Sequence, residues 1–185
     1  MIDLLELHKH FIAPHIRPHA AAVDCTMGNG NDTLALSRML GETGRVYAFD
    51  IQAQAVENTR KLLEAENAPE NYTLILDSHA EILRYIPENE DVCCVMFNLG
   101  WLPGADHSTF TLRESTMRAV DGAVRLLAPD GIILVAVYPG HPEGKLEGEM
   151  LYEYFKTFDR RQWCVSRVQI INSPTSPYFF AAEKK

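Results

Sequence analysis

Short apolar runs, each closed by Gly, Pro, Asn or Asp, recur at 21–25, 45–50, 72–77, 91–97 and 131–137, and each predicts a strand. Between them, apolar residues return at helical spacing. Leu34, Leu36 and Leu40 predict a helix over 33–40 behind an Asn31-Asp32 cap. Ala55, Val56, Leu62 and Leu63 predict one over 53–66 that breaks at Pro69. Leu112, Met117, Val120, Val124 and Leu127 predict a third over 111–127, ending in an Ala-Pro-Asp-Gly turn. Further helices are expected over 147–158 and over 2–12, the latter packed over the sheet edge or a ligand site.

Alternation of strand and helix is the pattern of a parallel sheet covered on both faces. The C-terminal end departs from it. Two strand-like runs, 162–171 and 178–183, are joined by NSPTSP with no helix between, so they must pair antiparallel. A doubly wound, mostly parallel α/β sheet of seven strands ending in one antiparallel hairpin resembles the class I methyltransferase fold, a Rossmann-like architecture. A chain of 185 residues suits one domain over 1–185, with 1–20 as an N-terminal helical segment.

Composition narrows the field only a little. No apolar run approaches the roughly 18–20 residues of a membrane span. The N-terminus MIDLLELHKHF lacks the basic flank and apolar core of a signal segment, so a cytoplasmic location is expected. Cys25, Cys93, Cys94 and Cys164 have no CxxC spacing and read as buried reduced thiols; no metal is expected. A net charge of −8 argues against a generally basic nucleic-acid coat, leaving RNA binding to a local patch.

The stretch DCTMGNGNDT follows the first strand, where open α/β sheets bind their ligands. Gly28 and Gly30 let backbone pass close to a ligand. A dinucleotide site keeps its helix N-terminus free for a pyrophosphate, usually with a third glycine. Here that third position is Thr33, and Asp24 and Asp32 would repel a diphosphate. S-adenosylmethionine carries a sulfonium and an ammonium and no phosphate, so it suits the acids better than NAD does. Asp50 ends the second strand about twenty residues beyond the glycines, in position to accept bonds from ribose hydroxyls or to cap the next helix. Ile51 would lie against the adenine face. Asp77 ends the third strand, either near the adenine amino group or as a cap. The candidate cofactor-binding set is Asp24, Thr26, Met27, Gly28, Asn29, Gly30, Asn31, Asp32, Thr33, Asp50, Ile51, Gln52, Asp77, Ser78, His79 and Asn98.

Asn98 ends the fourth strand and opens the acceptor side. An alkylammonium with a pKa near 10.4, as for Lys, has no lone pair. Its site must bind it, shed a proton and aim the nitrogen at the sulfonium methyl. Asn98 can orient the N–H groups, or simply satisfy loop backbone. Asp106 can stabilise the positive nitrogen or take its proton, or belong with His107 to a solvated turn. Trp101, beside Leu102 and Pro103, offers a flat face for a base or a cation, or packs in the loop. After the fifth strand, 138–145 reads as a rigid, non-regular loop. From it His141 favours ligand contact, and Lys145 either meets a phosphate or is solvated. The candidate catalytic residues are therefore Asn98, Asp106 and His141; Trp101, Leu102, Pro103, His107 and Lys145 are candidates for substrate binding.

DCTMGNGNDT, YAFDIQ, FNLGWLPGADH, GHPEGK and the final FAAEKK together resemble a bacterial family described as rRNA methylases and associated with wobble-uridine methylation of tRNA. The resemblance spans nearly the whole chain. It implies S-adenosylmethionine as methyl donor and transfer onto the exocyclic amine of 5-aminomethyl-2-thiouridine, giving the methylaminomethyl form. It carries Asp24, Gly28, Gly30, Asp50 and Asp77 over as cofactor positions, and Asn98, Asp106 and His141 as acceptor-side positions. It departs at Trp101, where the family has Tyr, and at His107, where it has Lys. The family also implies a homodimer and a tRNA anticodon arm as partner.

Lys9, Arg17, Arg113, Arg118 and Lys145 are candidate phosphate contacts, expected to gather at one rim. An rRNA or small-molecule N-methyltransferase and a non-catalytic binding module for the same nucleotide remain alternatives; a dehydrogenase ranks last.

Overall fold

β1 (Ala21–Asp24) is the axis of the sheet, pairing in parallel with β2 (Arg45–Asp50) on one side and β4 (Val92–Asn98) on the other. β3 (Tyr72–Leu76) extends the first side, and β5 (Leu127–Val137) the second. β6 (Trp163–Val168) and β7 (Tyr178–Lys184) complete the order β3-β2-β1-β4-β5-β7-β6. β7 runs antiparallel to both β5 and β6, so the last strand inserts between two earlier ones. The computed structural model describes residues 4–99 and 113–185. The expected fold class, strand count and C-terminal hairpin are all present.

Six helices connect these strands among the described residues: α1 (Leu4–Ile12), α2 (Asn31–Leu40), α3 (Ala53–Ala65), α4 (Ile82–Tyr85), α5 (Arg113–Leu126) and α6 (Pro142–Phe155). All of β1 and all but the last residue of β4 are buried, as a sheet covered on both faces requires. Phe49, Phe97, Phe179 and Phe180 are the largest side chains of that core.

Two helix starts and one strand start differ from the pattern in the sequence. α6 starts at Pro142, five residues before the expected 147, so the second half of the supposed irregular loop 138–145 is its first turn. Proline suits that position because its missing N–H has no helical partner to lose. Gly144 and Gly148 weaken the helical signal, yet a Cβ at either would collide with the Tyr138 carbonyl or the Tyr178 hydroxyl. Close packing on β5 and β7 overrides propensity there. α2 starts at Asn31 behind Gly30, a left-handed N-cap with φ 86°, so Asn31 and Asp32 lie within the helix and do not cap it. β5 begins at Leu127, paired with Val92, and absorbs Asp130 at φ 57°. The sequence pattern missed α4 altogether.

α1 packs against β5 and β7, with Phe11 edge-on to Phe179 at 5.2 Å. It is tied down beyond its end, where His15 Nδ1 donates to the Asp130 carbonyl at 2.6 Å and Arg17 pairs with Asp91. Asp91 precedes β4, so Arg17 sits at the edge of the sheet opposite the strand carboxyl ends. That corrects its placement on a common cationic rim: α1 crosses the sheet and carries the chain to the start of β1. Among the described residues Lys9 pairs with Glu6, Arg113 with Glu143 and Arg118 with Glu81, while Lys145 is exposed. Cys25, Cys93 and Cys94 are buried as expected, but Cys164 on the edge strand β6 is exposed. No helix among the described residues is long and apolar enough to cross a membrane.

Candidate functional site

The carboxyl ends of β1, β2 and β4 converge where the strand order reverses, and Asp24, Asp50 and Asn98 are their last residues. The glycine turn after β1 is held from both sides. Gly28 N–H donates to Asp50 Oδ2 at 3.1 Å, and Met27 N–H to the Phe49 carbonyl at 2.9 Å. Asp50 Oδ1 accepts from Gln52 N–H at 3.0 Å, so its carboxylate also steadies the start of α3. Each oxygen of a carboxylate has two lone pairs, which leaves acceptor capacity for a diol. Ile51, 57% exposed beside it, presents an apolar face.

Gly30 also meets its own fold. Its φ of +86° disfavours a side chain, and a Cβ there would stand 2.9 Å from the Thr59 Cα of α3. Thr59 Oγ1 donates to the Gly28 carbonyl at 3.2 Å, and Asn58 Nδ2 to Asn29 Oδ1 at 3.0 Å, so α3 clamps the turn.

Asp24 is fully buried. Thr33 Oγ1 donates to its Oδ2 at 2.6 Å and Thr26 N–H to its Oδ1 at 3.1 Å. Burial pushes its carboxyl up to about 7; the Asp32 charge adds to that, and the two bonds only partly oppose it. Asp32 goes the other way. Burial pushes it up, but its contact with His8, aided by Asn98 and Lys9, more than offsets this and leaves it below the ordinary carboxylate range. Two carboxylates so arranged favour one negative charge between them until a cation arrives.

Asn98 is fixed at three points. Its N–H donates to Thr26 Oγ1 at 2.7 Å, its Nδ2 to Asp32 Oδ2 at 3.3 Å, and its Oδ1 accepts from the Tyr138 hydroxyl at 2.7 Å. His8, on α1, places Nε2 3.3 Å from Asp32 Oδ1. Neither His8 nor Tyr138 was singled out from the sequence. A signal for His8 existed: it shares the Leu5–Ile12 stripe of its helix.

At the end of β3, Asp77 Oδ1 accepts from Ser78 N–H at 2.7 Å and Oδ2 from the Tyr85 hydroxyl at 2.6 Å; these bonds hold Asp77 below its usual range. Ser78 caps the turn that follows. His79 is buried, donating from Nδ1 to the Cys25 carbonyl at 2.8 Å, and burial holds its pKa below that of a free imidazole. It therefore lies beneath the crevice, edge-on to Phe97 at 5.9 Å.

His141 is the N-cap of α6, its Nδ1 accepting Gly144 N–H at 3.1 Å. In the neutral ring the proton then sits on Nε2, which makes His141 a donor there. Trp101, Leu102, Pro103, Asp106 and His107 lie outside the described residues. No group of His, Cys, Asp and Glu among the described residues is arranged to hold a metal ion.

Strand order, crevice and acid-lined glycine turn define a class I methyltransferase, whose methyl donor is S-adenosylmethionine. The residues fit that group: buried, unevenly charged carboxylates suit a cation, and the helix N-terminus that would receive a pyrophosphate carries Asp32. Residues 46–184 match the family described as "Putative rRNA methylase", and the chain belongs to it.

A chloroplastic tRNA (mnm(5)s(2)U34)-methyltransferase of Arabidopsis thaliana is 39% identical over 163 residues, 84% of this chain. The chain spans 60% of that relative's length. A crystal structure of a protein from Clostridium thermocellum described as a "putative rRNA-methylase" matches with TM-score 0.94 and 39% identity, covering 100% of this chain and 99% of that one. A methyltransferase from Streptococcus mutans, solved in complex with SAH, matches at 0.89 and 33%, covering 100% and 99%.

Proposed function

We propose that this chain is an S-adenosylmethionine-dependent N-methyltransferase that methylates the exocyclic amine of 5-aminomethyl-(2-thio)uridine at the tRNA wobble position. The observation that carries the reading is the carboxamide of Asn98, oriented by Asp32 and Tyr138 at the carboxyl end of β4. The 39% identity to the chloroplastic tRNA methyltransferase supports the choice of acceptor.

When bound, S-adenosylmethionine supplies an electrophilic methyl group. The turn residues Asp24 to Thr33 hold its cationic end, Asp50, Ile51 and Gln52 its ribose and adenine, and Asp77, Ser78 and His79 the far edge of the base. Asn98 Oδ1 has one lone pair beyond the Tyr138 bond, and with it accepts an N–H of the neutral amine. That turns the nitrogen lone pair toward the methyl group. Methyl transfer would form the N–C bond as the donor's S–CH3 bond breaks and leaves a neutral thioether, and Asp106 would stabilise the resulting ammonium or accept the proton it releases. His141 orients the acceptor as a donor from Nε2. Trp101, Leu102, Pro103, His107 and Lys145 are the proposed substrate-binding residues.

The anticodon arm is reached by local cations, and its wobble base is already unpaired, so little is spent on flipping it. The protein acts in the cytoplasm as a homodimer in this reading. Nucleoside mass spectrometry tests it: tRNA lacking the modification, incubated with protein and S-adenosylmethionine, should gain methylaminomethyl-2-thiouridine. Methylation of rRNA with none of tRNA would favour the substrate in the family description instead.

A further inference from the structure

We infer that His8 is a positioning residue for methyl transfer, acting through Asp32 on the carboxamide of Asn98. The inference deepens the proposed function and rests on Asn98 holding the acceptor.

His8 is 3% exposed and lies on the face of α1 that also carries the buried Ile12. Its Nδ1 has no hydrogen-bond partner among the described residues, and its Nε2 meets Asp32 Oδ1 at 3.3 Å as a charge contact, outside good hydrogen-bond alignment. A leucine would fill the space without burying polar nitrogens, so packing does not account for an imidazole there. What the imidazole touches does. Asp32 Oδ1 faces His8 and Oδ2 faces Asn98 Nδ2, also at 3.3 Å. The chain His8, Asp32, Asn98, Tyr138 thus joins α1, α2, and the ends of β4 and β5.

A carboxamide can rotate by half a turn and exchange its oxygen for its nitrogen. The Tyr138 hydroxyl can meet the oxygen as a donor or the nitrogen as an acceptor. Asp32 chooses, but only while it is ionised and can accept alone. Among the described residues, the charged and titratable groups facing it are His8 and Lys9 from α1 and Asp24 from β1, together with the neutral Asn98. Asp24 works against ionisation of Asp32, and Lys9 is also engaged by Glu6 at 2.8 Å. His8 is the group in direct contact that favours the acceptor form.

Single-turnover methyl transfer and one spectroscopic readout test this on the full chain. His8→Leu should lower the rate about tenfold or more at neutral pH, while SAH affinity stays within about threefold. The acid limb of its pH–rate profile should move to higher pH, because Asp32 then protonates more easily. His8→Gln, which keeps an N–H near the Nε2 position but carries no charge, should fall between wild type and His8→Leu in rate and in profile. In the SAH-bound protein, the Asn98 side-chain amide resonance, assigned by its loss in Asn98→Ser, should move in His8→Leu and much less in His8→Gln. An unmoved resonance overturns the inference, whatever the acceptor is. So does an equal loss of rate and thermal stability in both variants with an unshifted profile. If wild-type protein methylates no tRNA, the proposed function fails separately, and the resonance still decides the role of His8.

Discussion

Asn98 Nδ2 meets Asp32 Oδ2 at 3.3 Å, joining the last residue of β4 to the first turn of α2 across the switch point of the sheet. The acid of the glycine turn is thereby spent on orienting a side chain and not on capping its own helix.

Removing that carboxamide should separate binding from chemistry. Asn98→Ala is expected to lower the single-turnover rate by roughly 10²-fold or more, with SAH affinity within a few-fold by calorimetry. Tyr138→Phe keeps the ring and removes the hydroxyl that donates to Asn98 Oδ1, so a smaller loss of about tenfold is expected. Full activity in both variants would remove Asn98 from the acceptor site.

Asp24 makes the stability of the unliganded protein depend on pH. An unfolded aspartate titrates near 3.9, whereas burial raises this one to about 7. Between those values the folded state binds more protons than the unfolded state, so stability falls as pH rises through the window. The full effect is up to about 4 kcal/mol. Asp24→Asn imitates the protonated form. It should match wild type near pH 4 and melt about 5 °C or more above it at pH 8. Parallel melting curves for the two proteins across that range would place the titration elsewhere.

Gly30 is the point where the turn touches α3. Gly30→Ala should cost roughly 2–4 kcal/mol in urea unfolding, because the left-handed backbone and the 2.9 Å approach to Thr59 Cα both oppose a methyl group. Gly140→Ala, whose Cβ would meet only the Thr175 carbonyl at 3.7 Å, should change stability by less than about 0.5 kcal/mol. Equal effects at the two positions would mean that the α3 contact is not what demands glycine.

Much of this was legible in the residues. Strands at 21–25 and 91–97 announce themselves because a strand buried on both faces needs a continuous apolar run, and Asp24, Asp50 and Asp77 stand out as acids at strand ends. α6 was read short because two glycines mask its helical character, and their reason is long-range: the Tyr138 carbonyl and the Tyr178 hydroxyl occupy the space. The cap that His141 makes was not legible, because it depends on Pro142 starting a helix. His8 passed unnoticed because its partner lies on another helix, twenty-four positions away in the chain.

The sequence by itself determined the alternation of elements, the antiparallel ending and the acid-lined glycine turn, since periodicity and turn chemistry are local and each residue carries its own preference. Only the tertiary structure decided that β7 enters between β5 and β6, that Gly30 yields to α3, and that α1 brings a histidine to Asp32. Those outcomes depend on which distant surfaces meet, and burial then sets the charge: Asp24 and Asp32 are the same residue type eight positions apart, and desolvation against an imidazole contact drives their pKa values in opposite directions.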